Sequence, residues 1–449
     1  MRRKVILIII VFILVIEFLI YSVNAEEKNM GYLYEKNDTA SRMLAGASSV
    51  TGLYYPDSYN NKEKYDIIDV SVFQGNINWT AVRNAGIEAA VIRVGGRYYG
   101  SGGIYTDSNY ATNLQGAKNA GLKVGAYFFS AAINENEARQ EANYAADLVD
   151  STGVKLDLPL YIDFEGDGNG GNNGGRVEAN VNQSMGTNIL REFCNTVKSR
   201  GYTPGIYAGY YFLGSYSYRD TVVSWKYNMW LAWYTNNALY NVPYTVDVWQ
   251  YTGSGYVNGI STKVDKNILF IDKPEKCTNL NYEINKNDSS KATLKWDYIN
   301  GIDNYQIEIT QGGKTTTKDI KIGGLILAAN QMTESVNLSE GTNKFRVRAV
   351  NKKCGFQEFG AWSDYVTIQY EGIMKGDVTG DKKINMRDII KIRKYIANSR
   401  KWSLTSNEKS AADVTGDGKI NIRDIIKIRK YIAASSNATV RAKHPDWIW

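Results

Sequence analysis

Histidine is almost absent: among 449 residues there is one, His444, close to the C-terminal end of the sequence. Without imidazole elsewhere, Ser-His-Asp and Cys-His nucleophile systems lack their base and His-ligated zinc hydrolases lack their ligands. Any hydrolysis by this chain falls to carboxylates. Cysteine is scarce too, and Cys194, Cys277 and Cys354 do not make a disulfide framework. Cys194, in Leu190-Arg191-Glu192-Phe193-Cys194, reads as a buried helix residue, whereas Cys277 and Cys354 flank one segment and their pairing is open.

Tyrosine and tryptophan are plentiful, at 33 and 10. Aromatic faces suit stacking on sugar rings, and they equally suit β-rich cores. The length exceeds one core and predicts two to four domains, with an ordinary folded composition of 43% hydrophobic and 22% charged residues. The net charge of +7 is concentrated in residues 375–443, which hold 17 Lys or Arg against 7 Asp or Glu. That segment is a repeated module whose basic helix faces read as partner-binding or solvated, so nucleic acid is not expected as a partner.

Met1-Arg2-Arg3-Lys4, a long apolar run and Val23-Asn24-Ala25 read as a signal peptide over 1–25, cut after Ala25. The alternative is an uncleaved membrane anchor, which Glu17 disfavours. Either way the chain is expected to be exported: secreted, extracellular, attached to a surface or scaffold. Residues 26–63 form a polar leader.

From 64 to 273, strands and helices alternate. Strands are expected over 66–70, 89–94, 123–129, 158–163, 204–208, 228–234, 245–249 and near 266–270, with helices over 79–84, 109–120, 135–149 and 181–200. Asn84-Ala85-Gly86 and Asn119-Ala120-Gly121 supply helix stops. The alternation predicts an α/β barrel of parallel strands whose active residues sit at strand C-termini. The region is short for eight full units, so some helices should be missing.

At its centre, Leu158-Pro159-Leu160-Tyr161-Ile162-Asp163-Phe164-Glu165-Gly166 is a buried strand ending in two carboxylates, with a Gly/Asn-rich loop behind it. Positions i and i+2 share a face, about 6.5–7 Å apart. Like charges that close raise one pKa, which keeps an acid protonated near neutral pH. A solvated acidic strand end, or one holding a cation, is the competing reading of this stretch alone.

Ile68-Asp69-Val70-Ser71-Val72-Phe73-Gln74-Gly75, Tyr161-Ile162-Asp163-Phe164-Glu165, Val246-Asp247-Val248-Trp249-Gln250-Tyr251 and Val264-Asp265-Lys266-Asn267 together resemble, in order and spacing, glycoside hydrolase family 25, the lysozymes that cleave bacterial peptidoglycan. The resemblance implies a distorted TIM-like barrel, eight strands with fewer helices, and a muramidase cutting the β-1,4 bond between N-acetylmuramic acid and N-acetylglucosamine without a cofactor. It implies Glu165 as general acid. Asp163 would keep the Glu165 pKa raised, or orient the N-acetyl group as an internal nucleophile. Direct displacement by water, with Asp69 or Asp265 as base, is the alternative, and Asp247 competes with Asp265. Tyr127, Tyr207, Tyr234 and Gln250 stand at strand ends, as groove lining or as core. A non-catalytic glycan-binding barrel, a protein whose business is assembly, and a glycosidase acting on chitin are the other readings.

Residues 274–371 alternate at period two in Ala292-Thr293-Leu294-Lys295-Trp296, Tyr305-Gln306-Ile307-Glu308-Ile309 and Lys344-Phe345-Arg346-Val347-Arg348-Ala349-Val350, predicting an all-β, fibronectin type III-like sandwich. Over 375–435 the stretch from Gly376 to Ile396 returns 36 residues later. Oxygen-bearing side chains at loop positions 1, 3, 5, 9 and 12 run into an amphipathic helix, as Ca²⁺ requires. These are Asp377, Thr379, Asp381, Asn385 and Asp388, then Asp413, Thr415, Asp417, Asn421 and Asp424, with the Lys383 and Lys419 carbonyls at position seven. The repeat resembles a dockerin, a small all-α module that binds two Ca²⁺ and plugs into a cohesin. Lys382 stands where the sixth position is usually Gly. Lys391, Arg393 and Lys394 read as partner-binding or solvated, and 436–449 as a tail.

Overall fold

The computed structural model describes residues 52–166, 175–322 and 330–447. The expected signal peptide, residues 26–51 of the leader and residues 167–174 of the Gly/Asn-rich loop lie outside the described residues. Among the described residues no helix is long and apolar enough to cross a membrane. Two compact units are present, one built on the barrel and the other on the sheet-rich and C-terminal helical regions.

In the first unit the strands are β1 (Lys62–Val70), β2 (Ala89–Arg97), β3 (Ile104–Thr106), β4 (Lys123–Ser130), β5 (Leu160–Phe164), β6 (Pro204–Gly209), β7 (Asn228–Ala232), β8 (Val248–Gly255) and β9 (Val264–Asp272). Eight of them close a ring through the β1–β2 pairing, and β3 lies outside it, antiparallel to β2. Period-two alternation divides the side chains. Ile67, Val91, Tyr127, Tyr161, Tyr207, Trp230, Val248 and Leu269 share one cluster inside the ring. Ile68, Ile92, Phe128, Ile162 and Ile206 join the helices in another on its outside.

The expected helices are present as α1 (Trp79–Asn84), α2 (Tyr110–Asn119), α3 (Glu135–Thr152) and, after the short unforeseen α4 (Arg176–Asn180), α5 (Gln183–Ser199). Asn134 caps α3 by accepting from the Glu137 N–H, and Gly153 at φ 68° ends it. Cys194 is fully buried on α5. Two more short helices, α6 (Tyr210–Tyr216) and α7 (Arg219–Ser224), separate β6 from β7.

One expectation is corrected. The barrel is not parallel throughout: β9 runs antiparallel to both β8 and β1. The connection from Gly255 to Val264 is too short for a helical crossover, so the chain turns back as a hairpin. β7 also stops at Ala232, leaving Tyr234 beyond the strand.

The second unit begins with strands β10 (Asn281–Ile284), β11 (Lys291–Asp297), β12 (Asn304–Gln311), β13 (Lys314–Lys321), β14 (Gln331–Asn337), β15 (Gly341–Lys353), β16 (Phe356–Phe359) and β17 (Val366–Tyr370). They form a three-stranded and a five-stranded sheet around Leu294, Trp296, Tyr305, Ile307, Phe345 and Val347. Helices α8 (Met386–Ala397), α9 (Ser406–Ala412), α10 (Ile422–Ser436) and α11 (Ala438–Lys443) follow. The repeated residues Ile389, Ile392, Ile425 and Ile428 meet in one core. Lys391 is not a free surface cation: it reaches the Val378 carbonyl at 3.0 Å and Glu408 at 2.6 Å. The expected tail carries α11 and a 3-10 turn at Pro445–Trp447. All three cysteines are free, so Cys277 and Cys354 do not pair.

Inside the ring, Gly205 allows the Tyr161 ring to cross its backbone; a Cβ there would sit 2.2 Å from that ring. Gly205→Ala is expected to lower stability by about 1–3 kcal/mol through overpacking, measured as a fall in denaturant midpoint.

Candidate active site

Because β9 is reversed, its first residues arrive at the rim where the parallel strands end. The β1–β9 register sets Asp69 opposite Asp265. Asp69 is buried, and one of its oxygens accepts from Gln250 Nε2 at 3.0 Å and from Asn267 Nδ2 at 2.9 Å. Both amides are oriented from behind. Gln250 Oε1 accepts from the hydroxyls of Tyr207 at 3.0 Å and Tyr234 at 2.7 Å, and Asn267 Oδ1 accepts from Trp230 Nε1 at 2.7 Å. The Tyr207 hydroxyl also lies 3.4 Å from Glu165 Oε2.

Glu165 stands one residue past β5, partly exposed, with its carbonyl accepting from the Tyr99 hydroxyl. Asp163, the second residue of the pair, is only 2% exposed, and its Oδ1 has no hydrogen-bond partner among the described residues. Thus Asp69, Asp163, Glu165, Asp265, Tyr207, Tyr234 and Gln250 occupy one end of the barrel. Tyr127 faces the same interior, but it is buried edge-on against Trp230 as floor rather than as an open groove wall. Asp247 is set apart, because it precedes β8 at the opposite end and accepts from the Met229 N–H.

The acids differ in charge state. Burial pushes Asp163 well above the carboxylate range, helped by the charges of Glu165 and Asp69. Burial, with Asp69 and Glu178 nearby, raises Glu165 to about 8 against the pull of the Tyr207 hydroxyl. Asp69 rises only to about 6, because burial is opposed by its Asn267 and Gln250 donors. Desolvation leads in raising Glu165, and the repulsion expected between Asp163 and Glu165 acts within the same buried pair.

Several residues of this end were not singled out from sequence. Arg93 is buried, pairs with Asp107 at 2.8 Å and lies over the Phe73 ring at 4.9 Å. Its signal was a charge at an inward position of an apolar strand. Asn267 lay within a quoted motif. Tyr105 and Glu178 had no signal, since the β3 hairpin and α4 bring them here.

In the second unit the two repeats adopt matching loops. Thr379 Oγ1 lies 3.3 Å from Asp377 Oδ1 and 2.9 Å from Asp388 Oδ1, so loop positions 1, 3 and 12 converge. Thr415 does the same with Asp413 and Asp424 at 3.3 and 2.9 Å. Asp381 and Asp417 turn toward the N–H groups of Lys383 and Lys419 at 3.0 and 2.9 Å. Asn385 and Asn421 cap α8 and α10 by accepting from Arg387 and Arg423. This oxygen-only set fits a hard cation such as Ca²⁺. Position six differs between loops: Gly418 has φ 75°, whereas Lys382 is forced to φ 62°.

The model of glycosyl hydrolases family 25 matches residues 68–260, and that of the dockerin type I domain matches 375–433. The autolytic lysozyme of Clostridium acetobutylicum is 30% identical over 202 residues, covering 44% of this chain and 53% of that protein. Lysozyme M1 of Streptomyces globisporus is 31% identical over 212 residues, covering 44% and 66%. The chain thus spans about half the length of the first of these relatives. Among solved structures, the spore cortex lytic enzyme SleM of Clostridium perfringens is 17% identical with a TM-score of 0.41, covering 70% of this chain and 100% of that one. The barrel is a domain of glycosyl hydrolases family 25, and the C-terminal helical repeat is a type I dockerin domain.

Proposed function

We propose that the chain is an exported peptidoglycan hydrolase, a muramidase that cleaves the β-1,4 bond between N-acetylmuramic acid and N-acetylglucosamine. The observation that carries this reading is the coexistence, at one barrel end, of a proton-holding Glu165 and a charge-holding Asp69. Two carboxyl groups driven apart in pKa by their surroundings take the acid and the charge-stabilising roles of glycoside hydrolysis. Glu165 protonates the departing glycosidic oxygen, and Asp69, steadied by two amides, offsets the positive charge developing on the sugar. Asp163 and Asp265 complete the acidic wall. Tyr207, Tyr234 and Gln250 fix Asp69 and Glu165, and Tyr127 supports them from the floor. The lysozyme relatives support the substrate class.

The same reading assigns two Ca²⁺ to the dockerin. Asp377, Thr379, Asp381, the Lys383 carbonyl, Asn385 and Asp388 hold one, and Asp413, Thr415, Asp417, the Lys419 carbonyl, Asn421 and Asp424 hold the other. Each ion supplies the charge that rigidifies its loop. The partner is a cohesin on a scaffold or cell surface, and the location is extracellular. The domains run 64–273, 274–371 (the fibronectin type III-like spacer) and 375–435.

Release of reducing ends from purified peptidoglycan should follow a bell in pH. It falls below about pH 6 as Asp69 gains a proton and above about pH 8 as Glu165 loses one. Glu165→Gln should cut kcat by about 10²–10⁴ while pull-down on cell walls persists; unimpaired turnover would discard the assignment.

Asp163 tests the electrostatics separately. A buried carboxyl with a raised pKa costs stability once the unfolded chain has ionised, by about 1.4 kcal/mol per pH unit up to the folded pKa. Asp163→Asn should therefore lose activity yet gain melting temperature, with the gain small near pH 4 and growing toward pH 8.

For the dockerin, calorimetric titration of the whole chain should count two Ca²⁺. Lys382→Gly should tighten the site of the first loop by relieving a left-handed backbone worth about 1–2 kcal/mol, while the second is unmoved.

A further inference from the structure

Helix α4 is five residues long, too short to hold its place by its own hydrogen bonds, and its one buried side chain is Val177. Yet it carries Glu178 into close quarters. A Cβ added to Gly166, the residue after Glu165, would lie 1.9 Å from Glu178 Oε1, and Glu178 Oε2 is buried. Two carboxyl groups brought this near repel once both ionise, and little water is present to screen them. An outward swing of α4 would relieve the repulsion. Arg176 opposes that movement. Its guanidinium forks onto Glu137 of α3, Nη1 to Oε2 at 2.5 Å and Nη2 to Oε1 at 2.6 Å. Nη1 also donates to the Ala131 carbonyl, just after β4, at 2.7 Å. Each side chain of the pair is only 18% exposed, the setting in which a two-pronged ion pair fixes geometry. The anchor is itself held. Glu137 Oε2 accepts from the Ile133 N–H at 3.1 Å. Buried Arg97, bound to Glu141 at 2.6 Å, donates to the Gly102 carbonyl at 2.7 Å. Gly102, at φ 70°, lies against the Arg176 guanidinium: a Cβ there would sit 3.1 Å from its Nε. The β2–β3 hairpin thus closes over Arg176.

We propose that Arg176 is a positioning residue for the acid: its clamp on Glu137 and the Ala131 carbonyl keeps α4 in place and holds Glu178 over Gly166, beside Glu165. The role of Glu165 as acid rests on the glycan-hydrolase reading above. Among the described residues, the groups facing Glu165 are Asp163 on β5, Asp69 on β1, the Tyr207 hydroxyl on β6, Tyr99 just beyond β2, and Glu178. The first four stand on barrel strands or next to them. Glu178 rides on a short element tied down by an ion pair, so its distance from Glu165 is set by Arg176. Glu178 adds to the burial that keeps the proton on Glu165. Arg176 therefore acts on the acid through a second carboxylate, without touching it.

The test uses the full chain with isotope-labelled glutamate, the Glu165 carboxyl signal being identified in NMR spectra by its loss in Glu165→Gln. Glu178→Gln changes a partly exposed residue, so the melting temperature should hold. The Glu165 midpoint should fall by about one pH unit. The alkaline limb of kcat/KM on peptidoglycan should move down with it, because Glu165 then loses its proton earlier. Arg176→Ala should shift both in the same direction, and together with Glu178→Gln it should add nothing further. Arg176→Lys, which keeps the charge without the fork, should fall between Arg176→Ala and wild type. Should Arg176→Ala fail to fold, Glu137→Gln loosens the same clamp from its other side and should give the same shift. A Glu165 midpoint that stays put in Glu178→Gln overturns the inference. So does an Arg176→Ala enzyme that slows equally at every pH with its limb unmoved, the mark of a merely structural role. Wild-type protein that releases no ends, while its Glu165 midpoint still falls in Glu178→Gln and Arg176→Ala, overturns the hydrolase reading and leaves the positioning of Glu178 standing.

Discussion

The site depends on keeping one carboxylate charged where water is largely excluded. Asp69 achieves this between two side-chain amides, Gln250 and Asn267, each of which presents its N–H₂ because its oxygen is already committed to Tyr207 and Tyr234 or to Trp230. The amides cannot flip without setting two oxygens against each other and leaving aromatic donors unpaired. Direction in this network comes from the barrel wall, so the wall is part of the chemistry. The neighbouring acids have no such pair of amides, and Asp163 and Glu165 respond to burial by keeping their protons.

Much of this was legible in the chain. Apolar runs ending in acids marked the strand exits, helix stops at Asn-Ala-Gly marked the crossovers, and near-perfect repetition marked the calcium loops. What escaped was geometry that depends on partners distant in sequence. The reversed β9 could not be told from a parallel strand by periodicity, since both alternate at two residues. The irregularity in β2 changes which of its residues face inward, so Gly96 had no periodic signature. The Glu165 pKa was expected from a neighbouring charge, but burial by several elements outweighs a partner two residues away.

The dockerin shows the reverse case, where local sequence decides nearly everything. Each loop is closed by its own aspartates and each helix by its own asparagine, so the duplicated segments fold alike down to 0.1 Å in their matching threonine contacts. The exception, Lys382, is a backbone conformation imposed on a residue ill suited to it.

The antiparallel closing strand has a consequence for how the molecule comes into being. Asp69 and Asn267, whose contact helps define the acidic end of the barrel, are 198 positions apart. Pairings this remote are late and slow, since the intervening chain must be ordered first. The acidic end of the barrel therefore cannot assemble on a nascent chain until the ninth strand, which carries Asp265 and Asn267, has emerged.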